Sequence, residues 1–344
     1  MELVIRKGDF YLTLKELAAI ADVSPAAISL VLNNKPGISD SKRQEIQSLL
    51  RKYNYTPSRR PKKTIQKNLL FLKYISNGHL VEENTGFIST IMDAIEAECR
   101  KEKYTLRIVV SNNNLEKTIS EIDFSCIDGI FMLGTELDRS SYPVLEKIPV
   151  PYIVIDNNMP HFPCNTITMN NHEMVYEAVR YLASLGFSDI GYFRSRMSIQ
   201  NFEERAQAFY QSAGELGLHF APSHEFLLEP TMLGAYASMK QHLLERHFVP
   251  RCCFADNDTI AIGAMKALNE LRYKIPEDVC VMGFDDIQFA AVNSPSLSTM
   301  QVPKNLIGYL AVKTLNNSIF HSEYRNTKIQ VGGQLIIRHS TLLQ

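Results

Sequence analysis

The sequence, 344 residues long, contains no long hydrophobic run. No apolar stretch reaches the roughly 18 residues that a membrane-spanning helix needs. The first residues, Met1 to Lys7, also lack the apolar centre of a secretory signal peptide. We therefore expect the chain to stay in the cytoplasm and to have no contact with a membrane.

The usual catalytic signatures are absent as well. There is no G-x-S-x-G elbow, no Walker loop, no G-x-G-x-x-G and no H-E-x-x-H. Asp285 and Asp286 are adjacent, so their side chains diverge and do not form a glycosidase pair. We expect no enzyme activity.

Cysteine is sparse, with six residues and no C-x-x-C spacing. Several of the six lie in apolar, strand-like runs, where cysteine behaves as a small hydrophobic residue. A redox-active Cys252-Cys253 pair is the alternative, but a buried strand explains the two residues more simply. We expect reduced thiols, no metal site and no cofactor.

Net charge is nearly absent, at −1, but the charge is unevenly distributed. Residues 1–67 contain 13 Lys and Arg against 6 Asp and Glu, a net of +7. The remainder contains 23 against 31, a net of −8. A basic head on an acidic body favours binding of a phosphate backbone by the head.

The basic head has the pattern of three short helices. Thr13-Leu14-Lys15-Glu16 forms a capping box, and Leu17, Ala18 and Ala21 continue one apolar face. Ser24 can cap a second helix with Pro25 at its first position, and Ser39 can cap a third. Two helices joined by so tight a turn are typical of a helix-turn-helix.

In a helix-turn-helix the second helix enters the major groove by its first residues. Here those residues are Ser24, Pro25, Ala26, Ala27 and Ser29. Alanine can contact a thymine methyl but cannot read a guanine edge, so we expect DNA shape and backbone contacts to carry much of the specificity. A three-helix bundle without nucleic acid is the alternative, and the charge distribution disfavours it.

Four segments of this head resemble the LacI/GalR family of bacterial repressors, and weaker similarity extends through most of the chain. The matching segments of the head are Thr13–Ala18, Asp22–Ser24, Ile28–Asn33 and Asn54–Pro57. Downstream, the matching segments are Ala255–Gly263, Val281–Asp286 and Leu335–Ser340.

The resemblance implies further DNA contacts from Thr13, Asn33, Ser39 and Tyr55, and Arg59 in the basic linker is expected to contact phosphates. In the family this linker folds on DNA into a hinge helix whose leucine enters the minor groove. Here Pro61 stands where a small residue is usual, and Thr64 or Ile65 stands where leucine is expected. A shorter helix with Ile65 as the wedge is the alternative.

From Leu69 onward, short apolar runs alternate with amphipathic helices, which predicts parallel sheets covered by helices. Two such series in tandem indicate an α/β body of two doubly wound lobes, a clamshell like that of periplasmic binding proteins. The predicted strands are 69–74, 106–110, 129–133, 152–155, 190–193, 252–255 and 279–283. The predicted helices are 88–101, 172–185, 200–216, 233–247 and 258–271.

The expected organisation is an extension at 1–12, an all-α helix-turn-helix headpiece at 13–57, a linker at 58–68 and a body at 69–344. The resemblance implies that the chain crosses between the lobes more than once. The first lobe is then expected at about 69–165 and 300–328, and the second at about 166–299 and 329–344.

Ligands of open α/β sheets bind beyond the carboxyl ends of the strands. This rule selects Asp156, Asn257, Asp258, Asp285 and Asp286. Of these we predict ligand contact by Asp156, Asn257 and Asp285, together with Arg205, which resembles an arginine that contacts ligand in the family. Asp256, Asn257 or Asp258 could instead cap the next helix, and Asp286 could make a turn. Phe87 or Phe284 could stack on a sugar or pack in the core.

The resulting hypothesis is a dimeric, DNA-binding transcriptional regulator controlled by a small ligand such as a sugar or sugar derivative. We expect the regulator to be a repressor. Dimers of this type bind pseudo-palindromic operator DNA. The alternatives are a corepressor response, as in the family's purine-sensing branch, a regulator that answers a protein partner, and a solute-binding protein. The last is disfavoured by the basic head and the missing signal peptide.

Overall fold

The computed structural model describes residues 14–32, 35–53, 66–76, 85–321 and 325–342. It divides into two compact units, Met1–Ile65 and Gln66–Gln344. The predicted extension at 1–12 and the DNA-contact candidates Thr13, Asn33, Tyr55 and Arg59 lie outside the described residues.

The first unit contains the three predicted helices, α1 (Leu14–Ile20), α2 (Pro25–Leu32) and α3 (Asp40–Lys52). Both predicted caps in the described part are confirmed. Ser24 Oγ accepts a hydrogen bond from the Ala27 amide at 3.2 Å, and Ser39 Oγ accepts one from the Lys42 amide at 3.4 Å. The turn between α1 and α2 is tight because Asp22 adopts a left-handed conformation with φ of 49°, which aspartate tolerates better than most residues.

The small core of this unit comes from all three helices. Its fully or largely buried side chains are Leu17, Ala18, Ala21, Ile28, Val31 and Ile46. Because these residues recur at helical spacing, each helix turns one face inward and leaves its polar face for solvent or a partner.

The second unit is the α/β body. In chain order its strands and helices are β1 (Asn68–Ile75), α4 (Thr85–Lys101), β2 (Thr105–Asn112), α5 (Leu115–Glu121), β3 (Gly129–Leu133), α6 (Tyr142–Leu145), β4 (Tyr152–Ile155), β5 (Asn165–Met169), α7 (Asn171–Ser184), β6 (Gly191–Ser195), α8 (Gln200–Glu215), β7 (Glu225–Leu228), α9 (Met232–Arg246), β8 (Cys252–Ala255), α10 (Asp258–Glu270), β9 (Cys280–Asp285), α11 (Gln288–Val292), β10 (Ser298–Gln301), α12 (Lys304–Phe320), β11 (Lys328–Val331) and β12 (Gln334–Ile336).

These elements form two sheets. The first has the strand order β11-β5-β4-β3-β1-β2 and is entirely parallel. The second has the order β12-β10-β9-β8-β6-β7 and is parallel except for β12, which pairs antiparallel with β10. The predicted body of two doubly wound lobes is confirmed, and every predicted strand and helix is present within a few residues of its expected bounds.

The chain passes between the two sheets three times, after β5, after β10 and after β11. β5 extends to Met169, beyond the boundary expected at 165, and β11 extends to Val331, beyond the one expected at 328. Both strands stay with the first sheet because their neighbours continue to offer backbone partners to those residues. The three crossings can act as a hinge between the first lobe, built on the first sheet, and the second lobe, built on the second.

Within the part of the chain that the structure describes, no helix is both long and apolar enough to cross a bilayer.

Helices α4 and α12 approach closely at Gly308. A Cβ built on Gly308 would lie 2.5 Å from the Ala94 Cβ and 3.1 Å from the Ile95 amide nitrogen. We predict that Gly308→Ala lowers the free energy of unfolding by roughly 1–3 kcal/mol, because the two backbones must separate.

Gly214, in helix α8, is the matched control for this substitution. Nothing lies within 4 Å of a Cβ built there, so Gly214→Ala should stabilise the protein by about 0.5–1 kcal/mol through helix propensity alone. Urea-induced unfolding of the two variants and the parent protein measures both effects. Equal changes in the two variants would contradict the packing explanation.

Candidate functional site

Polar residues at the carboxyl ends of strands from both sheets meet at one cavity between the lobes. Asp156 follows β4, Asn257 follows β8, Asp285 ends β9, and Arg205 lies on α8. The cavity is lined by Phe87, Thr135, Asp156, Ile199, Asn201, Phe202, Arg205, Asn257 and Asp285. The structure therefore brings together all four residues that the sequence predicted for ligand contact, as expected from parallel strands whose carboxyl ends share an edge.

Arg205 lines this cavity and is 3 % exposed. Its Nε donates to Asn171 Oδ1 at 2.9 Å, and its Nη1 donates to the Asp256 carbonyl at 2.5 Å. Its guanidinium carbon lies 3.8 Å from the centroid of the Phe284 ring. These contacts fix the plane of the guanidinium. They also cover Phe284, which is fully buried, so stacking of this ring on a sugar is not supported.

The remaining guanidinium nitrogen faces the carboxylate of Asp285. Nη2 of Arg205 and Oδ1 of Asp285 are 3.5 Å apart, at the long limit of a hydrogen bond. Asp285 has φ of 113°, a conformation that side chains other than glycine rarely adopt. Lys304 Nζ donates to the Asp285 carbonyl at 2.5 Å and stabilises this turn. Backbone strain of this kind is concentrated at functional sites.

Asp156 joins the first lobe to the second. Thr135 Oγ1 donates to its Oδ2 at 2.5 Å, and Asn201 Nδ2, from α8, donates to its Oδ1 at 2.9 Å. Burial raises the pKa of Asp156 to about 7, although the hydrogen bond from Thr135 and the charge of Arg205 oppose this rise. A carboxyl in this state can donate or accept a hydrogen bond near neutral pH.

Glu204 makes a second connection between the lobes. Its Oε2 accepts from Asn171 Nδ2 at 2.8 Å, and its Oε1 accepts from Gln200 Nε2 at 2.9 Å and from Asn158 Nδ2. Asn158 follows β4 in the first lobe, whereas Glu204 belongs to α8 in the second. The first turns of α8 thus bind the first lobe through two hydrogen-bonded side chains.

Sequence reasoning missed Asn171, Asn201, Glu204 and Thr135. A signal for two of them exists in α8, because Asn201, Glu204 and Arg205 recur at i, i+3 and i+4 and therefore share one helix face. A buried polar face at the start of a helix indicates a site rather than a core. Asn171 and Thr135 give no such signal, since single polar residues at strand or helix ends are common.

Asn257 has the capping role that was considered as its alternative. Its Oδ1 accepts from the Ile260 amide at 2.9 Å, which starts α10, while the residue also lines the cavity. Asp286 is not among the residues that line the cavity, and its carboxylate instead contacts other residues of the second lobe. It forms an ion pair with Arg338 at 2.7 Å and accepts from Gln301 Nε2 at 2.6 Å.

Asp258 is fully buried behind the cavity. Its Oδ2 accepts from the Ile287 amide at 2.9 Å, and its Oδ1 lies 2.6 Å from Thr299 Oγ1. A Cβ on Gly283 would lie 2.2 Å from that Oδ1, so β9 passes this carboxyl only because residue 283 is glycine. Burial raises the pKa of Asp258 to about 8, with a further rise from the charge of Asp285.

The cavity has a volume of about 20 Å³. A single water needs about 10–15 Å³ of such volume, and small-molecule sites usually exceed 300 Å³. The lobes are therefore closed on their own side chains, and a ligand of any size beyond water requires them to separate.

The headpiece exposes four of the residues expected to face DNA. Ser24, Pro25 and Ala26 at the start of α2 and Ser39 before α3 are exposed, whereas Ala27 and Ser29 are partly buried. Arg43 Nη2 donates to the Lys35 carbonyl at 2.5 Å and holds the chain that leads from α2 into α3. The start of α2 is thus sterically available for a groove.

Two family matches cover separate parts of the chain. Residues 13–58 match the bacterial regulatory proteins of the lacI family, and residues 179–341 match the periplasmic binding protein-like domain. The ribose operon repressor of Haemophilus influenzae is 29% identical over 311 residues, covering 88% of this chain and 90% of that protein. The transcriptional repressor PurR of Pasteurella multocida is 26% identical over 335 residues, covering 95% and 98%.

Solved structures share the fold. The lac repressor dimer bound to operator and an anti-inducer superposes with a TM-score of 0.71 at 20% identity, over 96% of this chain and 99% of that one. A LacI family regulator from Enterococcus faecium with bound ribose gives a TM-score of 0.67 at 21% identity, over 80% and 98%.

Fold, cleft and headpiece together define a DNA-binding transcriptional regulator controlled by a small ligand. Over residues 13–58 the chain matches the lacI family of bacterial regulatory proteins, and over residues 179–341 it matches a periplasmic binding protein-like domain. Its curated relatives are named as repressors rather than as enzymes.

The raised pKa of Asp258 predicts a pH-dependent stability. Because the folded protein holds this proton more tightly than the unfolded chain, the free energy of unfolding falls as the pH rises from the ordinary value of 3.8 to about 8. Asp258→Asn keeps a neutral group that can donate to Thr299 and accept from Ile287. Between pH 6 and pH 8.5, we predict that the free energy of unfolding falls by roughly 1–3 kcal/mol less in Asp258→Asn than in the parent protein.

Urea-induced unfolding at the two pH values measures this difference. Asp93, exposed on α4, supplies the control, and Asp93→Asn should leave the parent's pH dependence unchanged. Asp156 and Asp256 also have raised pKa values, of about 7 and about 6. Both residues are present in the parent and in the two variants, so the difference between the pH profiles reports on Asp258. Parallel pH profiles for the parent and Asp258→Asn would refute the assignment.

Proposed function

We propose that this protein is a repressor whose effector is a sugar or sugar derivative, bound in the cleft by Arg205, Asp285, Asp156 and Asn257. The convergence of these four side chains on one cavity between the two lobes carries the proposal. Asn201 adds a fifth polar group from the start of α8. The set combines a fixed guanidinium donor with carboxylate acceptors, which suits the paired hydroxyls of a polyol.

The geometry around Arg205 explains how a hydroxyl would be recognised. Nη2 of Arg205 is a donor, and the Asp285 carboxylate 3.5 Å away is an acceptor. A hydroxyl between them accepts from the guanidinium and donates to the carboxylate, so both groups exchange one long contact for two hydrogen bonds. Hydrogen bonds to charged groups are stronger than neutral ones, which favours this exchange.

Control of DNA affinity follows from the contacts that close the cleft. Asn201 binds Asp156, and Glu204 binds Asn158, each across the two lobes. A sugar that occupies the cleft must separate these partners or replace them, so it binds the open and closed arrangements with different affinity. A tenfold difference corresponds to about 1.4 kcal/mol of coupling to operator binding.

The relatives support a sugar as the effector class. One is named a ribose operon repressor, and solved structures of the same fold contain ribose or cellobiose. Several others are named PurR, so nucleobases belong among the compounds to be tested.

A second candidate is control by a protein partner, with a cleft that no longer takes a ligand. The closure of the cavity to about 20 Å³ on its own hydrogen-bonded side chains favours this candidate. The transcription regulator CcpA of Lactococcus lactis shares the fold, with a TM-score of 0.69 at 18% identity.

For DNA binding, we assign the major-groove contacts to Ser24, Pro25, Ala26, Ala27 and Ser29. The resemblance adds Thr13, Asn33, Ser39 and Tyr55, and the linker adds Arg59. The operator is proposed to be a pseudo-palindrome bound by a homodimer. The edge strand β2 supports self-association, because it exposes 53 % of Ile108 and 49 % of Val110 and an edge of this kind is usually covered.

The effector hypothesis predicts that one sugar changes operator affinity at least tenfold. Arg205→Ala should abolish this response, because the central donor is lost, whereas Arg180→Ala on the surface of α7 should leave it intact. Fluorescence anisotropy with operator DNA, repeated with pentoses, hexoses, glycosides, phosphosugars and nucleobases, measures the response. A response to a nucleobase alone would overturn the sugar assignment, and no response at all would favour the protein partner.

The groove assignment predicts that Ala26→Glu weakens operator binding by at least about 100-fold, because a carboxylate is placed against bases and phosphates. Gln47→Glu adds the same charge to an exposed position of α3 and should weaken binding far less. Both variants should unfold at the parent's temperature. Operator binding by Ala26→Glu that equals that of Gln47→Glu would remove α2 from the groove.

A further inference from the structure

Two histidines and one aspartate lie together at the end of the second lobe where the strands begin. One ring nitrogen each from His219 and His224 and one carboxylate oxygen of Asp189 lie within 4.8 Å of one another. Imidazole nitrogen and carboxylate oxygen are common ligands of zinc. The cluster is independent of the cleft, which lies beyond the opposite ends of the strands.

The backbone holds the first two members of this cluster in register. Asp189 and His219 form an isolated parallel β-bridge, in which the Ile190 amide donates to the His219 carbonyl at 3.1 Å and the His219 amide donates to the Ser188 carbonyl at 2.7 Å. Their side chains lie side by side, with His219 Nδ1 2.8 Å from Asp189 Oδ1. The pair is therefore built by the main chain and does not depend on chance approach of two loops.

The third member is buried and incompletely satisfied. His224 ends a short 3₁₀ turn, Pro222–His224, and is 6 % exposed. Its ring packs edge to face against His219, with centroids 5.3 Å apart. Among the residues that the structure describes, its Nδ1 has no hydrogen-bond partner. A buried polar atom without a protein partner is costly, and in folded proteins such an atom commonly contacts an ion or a water molecule.

A supporting contact orients the carboxylate. Ser188 Oγ donates to Asp189 Oδ2 at 2.8 Å, which leaves Oδ1 directed at His219. Metal-binding carboxylates are commonly fixed by such outer contacts.

We propose that Asp189, His219 and His224 form a zinc site on the second lobe, with water as the fourth ligand. Two ligands about 2.1 Å from a tetrahedral zinc ion lie about 3.4 Å apart. The Asp189–His219 pair must open slightly from its 2.8 Å contact, and the more distant members must move closer. The side chains of His219 and Asp189 are 66% and 51% exposed, so rotation of these two supplies the movement.

This site departs from the sequence-based expectation of no metal, which rested on the spacing of the cysteines. The ligands are separated by 30 residues between Asp189 and His219, so no short motif marks them. They meet because the bridge joins the start of β6 to the segment before β7. Bound zinc would tie these two segments together.

Zinc titration of the full-length, tag-free protein against a chromogenic chelator tests the site. The parent should bind one Zn²⁺ per chain. His219→Ala and Asp189→Asn should each bind at least about tenfold more weakly, since even loss of a supporting contact costs about 10- to 100-fold. His172→Ala, at an exposed histidine of α7, and Cys126→Ser, at an exposed thiol, are the controls and should match the parent.

Two further readouts are specific to these ligands. Cobalt should give the parent a visible absorption band of tetrahedral geometry that both ligand variants lack. Zinc should also raise the thermal midpoint of the parent but not that of His219→Ala. Zinc binding by the two ligand variants equal to that of the parent, or no binding by the parent, would overturn the proposal. Neither result bears on the sugar hypothesis, which concerns the cleft.

Discussion

The arrangement of the body depends on one buried cation, the guanidinium of Arg205. It is 3 % exposed, stacked on Phe284 and bonded to Asn171 and the Asp256 carbonyl. Removal of one partner from a buried ionic contact costs about 3–5 kcal/mol, because the other charge is left without compensation. The guanidinium must therefore keep a hydrogen-bonding partner, which is either a neighbouring side chain or a ligand.

We infer that this constraint gives the cleft two arrangements, one closed and one open. In the closed arrangement Asn201 donates to Asp156 and Asn158 donates to Glu204 across the gap, and the cavity has a volume of about 20 Å³. When the lobes separate, those four groups and Arg205 require water or ligand. The chain crosses between the sheets three times, and we propose that these crossings are the hinge for such a separation. We propose that a ligand rich in hydroxyls binds these groups in the open arrangement and so shifts the equilibrium between the two arrangements.

Much of this architecture could be predicted from the sequence. Strands 129–133, 152–155 and 252–255 have their predicted bounds because each is a largely buried apolar run that ends at a polar residue or a turn. The caps at Ser24 and Ser39 were predictable because capping depends on adjacent residues alone. The rule that ligands bind at the carboxyl ends of parallel strands predicted a shared site for Asp156, Asn257 and Asp285, and the three residues line one cavity.

The remaining features depend on tertiary structure. The closure of the cleft and the roles of Asn171 and Thr135 arise from contacts between residues far apart in sequence, which no local pattern encodes. The stacking of Arg205 on the Phe284 ring is another contact between residues far apart in sequence. Strands β5 and β11 were not predicted, and the lobe boundaries expected at 165 and 328 therefore fall at their first residues rather than after their last. The extent of a strand depends on its partners, which are known only from the sheet.

The central claim is that occupancy of the cleft and operator binding are coupled through lobe separation. Measurement of effector affinity by calorimetry, with and without saturating operator DNA, tests it most directly. The account predicts that operator changes effector affinity by the same factor by which effector changes operator affinity, as thermodynamic linkage requires. An effector that binds equally well to free and operator-bound protein would contradict it.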